Sequence, residues 1–160
     1  MLQWRPNSPT EIVYNDREGD HYVCRIQDVV TGTKRTVSSP IYAIAPDGKT
    51  AVSPDFRRLS DLRPGYGYNG FPDPFAHERA PEKTGIWRVN LDSDRSDLII
   101  SFAQAAGIDW PYGGFGESFH WFNHLLVNPT GTRFVFLHRW KQPGAKSWLT
   151  RMFSARLDGS

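Results

Sequence analysis

The amino-acid order predicts an all-β chain assembled from about three repeats of one antiparallel unit, and three observations predict it. A short apolar strand, a tight turn and a second strand recur three times in register. Each of these hairpins is followed by a third strand and a further polar turn. Hydrophobic residues make up 39% of the 160 residues and aromatic residues 14%, enough for a packed core.

The first unit opens with Leu2-Gln3-Trp4, turns through residues 6–9 (PNSP) and continues in 12–17 (IVYNDR). The second runs from 41–44 (IYAI) through Pro46-Asp47-Gly48-Lys49 into 51–57 (AVSPDFR). The third runs from Leu125-Leu126-Val127 through Pro129-Thr130-Gly131-Thr132 into 134–140 (FVFLHRW). Asp47-Gly48 is a strong hairpin signal, because glycine tolerates the positive φ that such turns require. Third strands are expected at 22–26, 85–89 and 151–155, and fourth strands at 35–38 and 97–101. The third unit ends after its turn at Asp158-Gly159-Ser160. Four antiparallel strands per repeat is the make-up of a β-propeller blade. The expectation is therefore a β-propeller fragment, with blades at about 1–39, 40–102 and 119–160, the last incomplete. A β-sandwich needs similar strands but not this recurrence in register.

Bulk properties narrow the function. A formal net charge of +2 and the lack of a Lys/Arg run argue against nucleic acid. No apolar run approaches the ~18 residues of a membrane span. Cys24 is alone, so neither an internal disulfide nor a thiolate cluster is expected. No basic region followed by an apolar stretch opens the sequence, so no signal peptide is visible, and the compartment stays open.

Antiparallel alternation puts the tight turns on one face of the blades and the remaining connections on the other. Asp16, Asp55 and His138 occupy the same aligned position, where the second strand of each unit ends. A shared functional face explains polar residues there, and so does simple turn initiation by Asp. Two long connections open onto that face, at about 59–84 and 103–119. Loops of this length tend to be functional or disordered, and these are not composed like linkers. The first holds Tyr66, Tyr68, Phe71 and Phe75 among Arg63, His77 and Arg79. The second holds Trp110, Tyr112 and Phe115 among glycines. Aromatic plates beside cations suit a ligand with apolar ring faces and negative charge, an acidic sugar, and they equally suit a plug for the open end of a ring. On a regular strand His120 and His124 share a face, with His138 on the neighbouring strand, so imidazoles are expected to converge.

Residues 14–17 (YNDR), 63–68 (RPGYGY) and 124–140 (HLLVNPTGTRFVFLHRW), with Asp47-Gly48-Lys49 between strands, resemble the oligogalacturonate lyase-like and TolB-type β-propellers. The resemblance covers most of the chain. It implies a carbohydrate-active protein performing metal-assisted β-elimination on uronic-acid oligosaccharides, with this chain under half of a full ring and inactive alone. It implies a divalent ion, Mn²⁺ or similar, with His124 as one ligand and His120 or His138 as companion. The acidic sugar would be held by Asp16, Arg17, Asp55, Arg57, Tyr66, Tyr68 and Trp110. Arg58 and Arg63 would neutralise its carboxylate, and either His77 or His138 would act as base. The alternative is a non-catalytic propeller that binds a protein or glycan on its loop face. Either way, self-association or further blades are expected to cover the exposed blade faces.

Overall fold

The structure, a computed structural model, describes residues 1–112 and 115–160. Three antiparallel sheets follow one another along the chain. The first contains β1 (Leu2–Trp4), β2 (Glu11–Glu18), β3 (His21–Asp28) and β4 (Lys34–Val37) in sequence order. The second contains β5 (Ala43–Ile44), β6 (Thr50–Pro54), β7 (Gly85–Asn90) and β8 (Arg95–Ser101). The third contains β9 (Phe119–Val127), β10 (Arg133–Lys141) and β11 (Leu149–Arg156). Two helices interrupt the connections: α1 (Phe56–Leu62), of seven residues, and α2 (Phe102–Ala106), of five. The described helix is thus far below the third that is usual for globular domains.

The sheets stack face to face. Val13, Cys24, Ile26 and Val37 of the first sheet pack with Ala51, Val89 and Leu91 of the second. On its other side the second sheet gives Val52, Ile86 and Ile100 to a core shared with Phe122, Phe134 and Phe136 of the third. Neighbouring residues of a strand point to opposite faces, so Ala51 enters one core and Val52 the other. A strand buried on both sides carries little polar surface, and in β6 (TAVSP) the only polar side chains are the small hydroxyls of Thr50 and Ser53. The innermost strands lie side by side. The Gln3 amide donates to Tyr42 O (3.2 Å) and accepts from Ile44 N (3.4 Å), and β5 in turn touches β9. These sheets do not close a ring among the described residues.

The hairpin turns meet at one end of the stack. Asp47 Oδ1 accepts from the amides of Lys49 (2.8 Å) and Thr50 (2.9 Å), and Asn128 Oδ1 does the same for Thr132 and Arg133. Arg5 bridges the turns, donating to Gly48 O (2.7 Å), Glu11 (2.9 Å) and Asp92 (2.6 Å). Gly48 has φ 69°, and a Cβ on it would lie 2.3 Å from Pro6 O. Gly48→Ala is therefore expected to cost about 2 kcal/mol, from backbone strain plus the displaced turn. A urea titration showing less than about 0.5 kcal/mol would show that this turn contact is not maintained.

One boundary differs from expectation. The strand expected over 51–57 stops at Pro54. The Asp55 carboxylate accepts from the amides of Arg57 (3.1 Å) and Arg58 (3.3 Å), an N-cap that turns the chain into α1. Arg57 and Arg58 are consequently helical, one turn above the sheet.

Candidate functional site

The 63–84 connection is folded onto the second and third sheets by Arg58. Its side chain is 1% exposed. Its Nε donates to His120 O (2.6 Å) and one terminal nitrogen to Asp73 Oδ2 and Phe75 O (both 3.2 Å). The other donates to Glu78 O (2.8 Å) and Arg79 O (2.7 Å). A guanidinium has five N–H donors, and all are used. Asp73 is as buried as Arg58, so the charge is compensated where it stands. Phe102 and Phe119 lie against the guanidinium at 5.1 and 6.0 Å. The expectation that Arg58 neutralises a substrate carboxylate is corrected: it has no donor left for a ligand.

His138 and His120 are corrected likewise. Both are at most 1% exposed, inside the third sheet. Arginine only donates, so Arg151 Nε (3.2 Å) requires His138 Nδ1 to accept. His138 Nε2–H then donates to His120 Nδ1 (2.9 Å), and His120 Nε2–H donates to Phe115 O (3.2 Å). Every ring nitrogen is occupied in a chain of neutral imidazoles running from a cation to a carbonyl. Burial drives both rings toward the neutral form, His120 down to about 4, with the neighbouring Arg151 adding to the effect. Trp110, 4.8 Å from Trp140, and Phe115, 4.8 Å from His120, close over the pair. Trp110 is thus a packing residue over this core. Of the second long connection, Gly113 and Gly114 lie outside the described residues.

His124 does not join them. Between Val135 and Leu137 the β9–β10 register slips, and His124 sits in the bulge with φ 52°. The extra residue inverts the alternation beyond it, so the shared face expected for His120 and His124 is lost. His124 is exposed, with its ring 5.8 Å from Tyr66. Arg63, the C-cap of α1, lies 4.9 Å from the same Tyr66 ring. Among the described residues no three His, Cys, Asp or Glu side chains are grouped to hold a metal ion. His120 and His138 are hydrogen-bonded to each other, to Arg151 and to Phe115, so the three imidazoles expected to converge do not do so among the described residues.

What the loop face does form is a groove. Between the first and second sheets lies a cavity of about 270 Å³, lined by Tyr22, Phe71, Phe75, Arg57, Lys83 and Ser39, among others. Its aromatic wall is fixed by packing. Tyr22 meets Phe71 at 4.8 Å and Tyr68 at 5.3 Å, and Tyr68 stacks on Phe56 at 4.4 Å. Arg17 covers the Phe71 ring at 4.8 Å. Tyr22 donates to Tyr68 O (3.0 Å), while the Tyr68 hydroxyl is held by Asn15 Nδ2 (2.9 Å) and the N-terminal amine (2.6 Å). Tyr68 therefore anchors the groove and is not an open plate. Arg57 reaches Asp55 only through Nε, at 3.4 Å, and its terminal nitrogens have no partner among the described residues. Lys83 is exposed and forms no ion pair among the described residues. Asp55 is spent on the cap and on Thr84 Oγ1 (2.8 Å). A shallower cleft beside it is lined by Asp16, Arg17 and Tyr68. Asp16 is paired with Arg25 (3.2 Å), and the Arg17 amide and Arg25 hold its carboxyl below the usual range. His77 is exposed on the loop. Lys83, at the end of the long connection, and Trp87 of β7 both line the groove and went unnoticed in the sequence, since nothing local marks which residues a fold brings to a groove.

No protein-family model and no curated protein matches the sequence. Among solved structures, TolB from Acinetobacter baumannii is similar over 98% of this chain and 40% of its own length, at 15% identity and a TM-score of 0.39. This chain thus spans well under half the length of that protein, and a likeness so distant carries no weight for its function.

Proposed function

We propose that this chain is the ligand-binding part of a carbohydrate-active β-propeller, its three sheets acting as blades, and that the groove between the first two takes a uronic-acid oligosaccharide. The observation that carries the reading is the pairing of cations with fixed rings: Arg57, whose terminal nitrogens stay open beyond its Nε contact with Asp55, and Lys83, beside Tyr22, Phe71 and Phe75. Pyranose rings present C–H faces that pack on aromatic rings, and the carboxylates answer the cations.

Binding, not chemistry, is what these residues support. β-Elimination removes the proton next to the carboxylate and expels the neighbouring glycosidic oxygen, so it needs a base with a free lone pair. His138 has none. Catalysis therefore belongs to a larger assembly, in which further blades or a second copy cover the outward face of the third sheet. Leu126 and Met152, 66% and 67% exposed, lie on that face.

The test is calorimetric titration with a galacturonate trimer, against a neutral galactose trimer. The acidic trimer is expected to bind, and Arg57→Gln to weaken it about tenfold, the worth of one charge-assisted hydrogen bond. Equal affinity for the neutral trimer would overturn the reading. Ultraviolet absorbance from unsaturated product, with this chain alone, would overturn the division between binding and catalysis.

A further inference from the structure

The third sheet has three strands where its neighbours have four, and β11 pairs with β10 alone. The direction of the backbone groups on its other edge is fixed. The Arg156 amide donates away from β10, to Ser160 O (2.7 Å). Backbone groups alternate in direction along a strand, so those of Ser154 and Met152 point to the same edge. Both residues are exposed, and no strand meets them there among the described residues. Such a row of N–H and C=O groups is a template for another strand.

Beside this edge, on the side toward the second sheet, lies a cavity of about 240 Å³. Its walls are mostly apolar: Ile100 of β8, Ala105 of α2, Ile108 beyond it, and Phe136, Phe153 and Ala155 of the third sheet. It is smaller than the roughly 300–1,000 Å³ of small-molecule sites and suits an apolar side chain or two.

The completed sheets show what would carry such a side chain. Phe153 opposite Phe136 holds the place of Trp87 opposite Ser53 and of Arg25 opposite Tyr14. The second sheet's fourth strand sets Leu98 opposite Trp87, on the side of the first sheet. The first sheet's sets Thr36 opposite Arg25, on a side where no described sheet lies. The position is thus apolar where it enters a space between sheets, and opposite Phe153 that space is the cavity. One residue before Leu98, Asp97 answers Arg88 (3.0 Å) on the opposite side of the strand. Ser154 holds the place of Arg88, and Arg133 supplies the cation. Arg133 reaches Ser154 Oγ at 3.5 Å and has no acidic partner among the described residues.

We propose that the β11 edge docks an extended segment of a partner protein as an antiparallel fourth strand. An acidic residue of the segment lies beside Arg133, and the apolar residue after it enters the cavity. Main-chain bonds to Met152 and Ser154 give the affinity, and the two side chains give the specificity. The cavity shares no residue with the groove between the first two sheets, so the proposal does not depend on the saccharide reading.

The probe is a synthetic peptide of residues 95–101 (RSDLIIS), labelled for fluorescence anisotropy and titrated with the full chain. Saturable binding is expected. The Met152 and Ser154 amides should gain protection from hydrogen exchange, and those of Phe153 and Ala155, which face β10, should not change. Leu98→Ala in the peptide is expected to weaken binding at least about tenfold, and Asp97→Lys about threefold or more. Methylating the Asp97 nitrogen, which faces β11 in this register, should abolish binding. Methylating the Leu98 nitrogen, which faces away, should not. In the chain, Ser154→Pro removes an edge donor that no strand uses, so binding should disappear while the melting temperature stays near that of the parent. Absence of binding would overturn the proposal, as would binding indifferent to Leu98→Ala or to which nitrogen is methylated. A concentration-dependent dimer that Ser154→Pro dissolves would overturn it too, giving the edge to a second copy.

Discussion

Replacing Arg58 by methionine should lower stability by about 3–5 kcal/mol, because the substitution leaves Asp73 charged and buried without its counter-ion. The same change strips hydrogen bonds from the carbonyls of Phe75, Glu78, Arg79 and His120. For a chain of this size the melting temperature should fall by roughly 10 °C. Arg58→Lys should rescue little, since an ammonium offers three donors on a flexible stem where the site uses a planar fork. Phe75 also lines the groove between the first two sheets, so saccharide binding should disappear with the clamp. The measurements are urea unfolding and amide exchange across residues 73–79, whose protection should drop first. A loss below about 1 kcal/mol would show that the loop is held by something other than this guanidinium.

Acidification should unfold the protein well before its carboxylates explain it. The His120 and His138 rings are neutral in the folded state because burial and Arg151 oppose a second charge, whereas in the unfolded chain each titrates near 6.5. A base whose folded value is lowered adds no stability change above about 6.5. Below that, the unfolded state takes up protons the folded state refuses, and stability falls as the pH falls. For His120, with a folded value of about 4, the loss between pH 6.5 and 4 is roughly 3 kcal/mol. His138 extends the decline below that range, its value being depressed further. Urea unfolding at pH 7.5 and 4.5 should show this difference. His138→Phe should be less stable at pH 7.5, since Arg151 loses its acceptor, but should have a flatter pH dependence. An unchanged slope in that variant would assign the acid sensitivity to other groups.

Much of this was readable from residue order. Asp47-Gly48 and Thr130-Gly131 act locally, through side-chain capping and positive φ, so the turns and the strands flanking them could be placed in advance. The strand–turn–strand recurrence placed strands at 51–54 and 134–140 for the same reason, and which neighbouring residues face opposite sides depends only on the pleat. The position of the two long connections, away from the tight turns, followed from antiparallel geometry alone.

The roles of the polar residues did not follow from it. Asp55 reads as the end of a strand, but its two-residue reach to Arg57 N makes it a helix cap. Arg58 and His138 carry the chemistry of a catalytic site, and in isolation nothing distinguishes them from one. Whether such a group is free or spent depends on which carbonyls and rings arrive from 15 to 62 residues away, as Asp73 and His120 do for Arg58. Likewise a single bulge at His124 separates two histidines that strict alternation joins, and bulges arise from packing across strands, which no single strand encodes. Secondary structure was set by local stereochemistry and hydrophobic period. The accounting of donors and acceptors, on which function turns, was settled only when the three sheets came together.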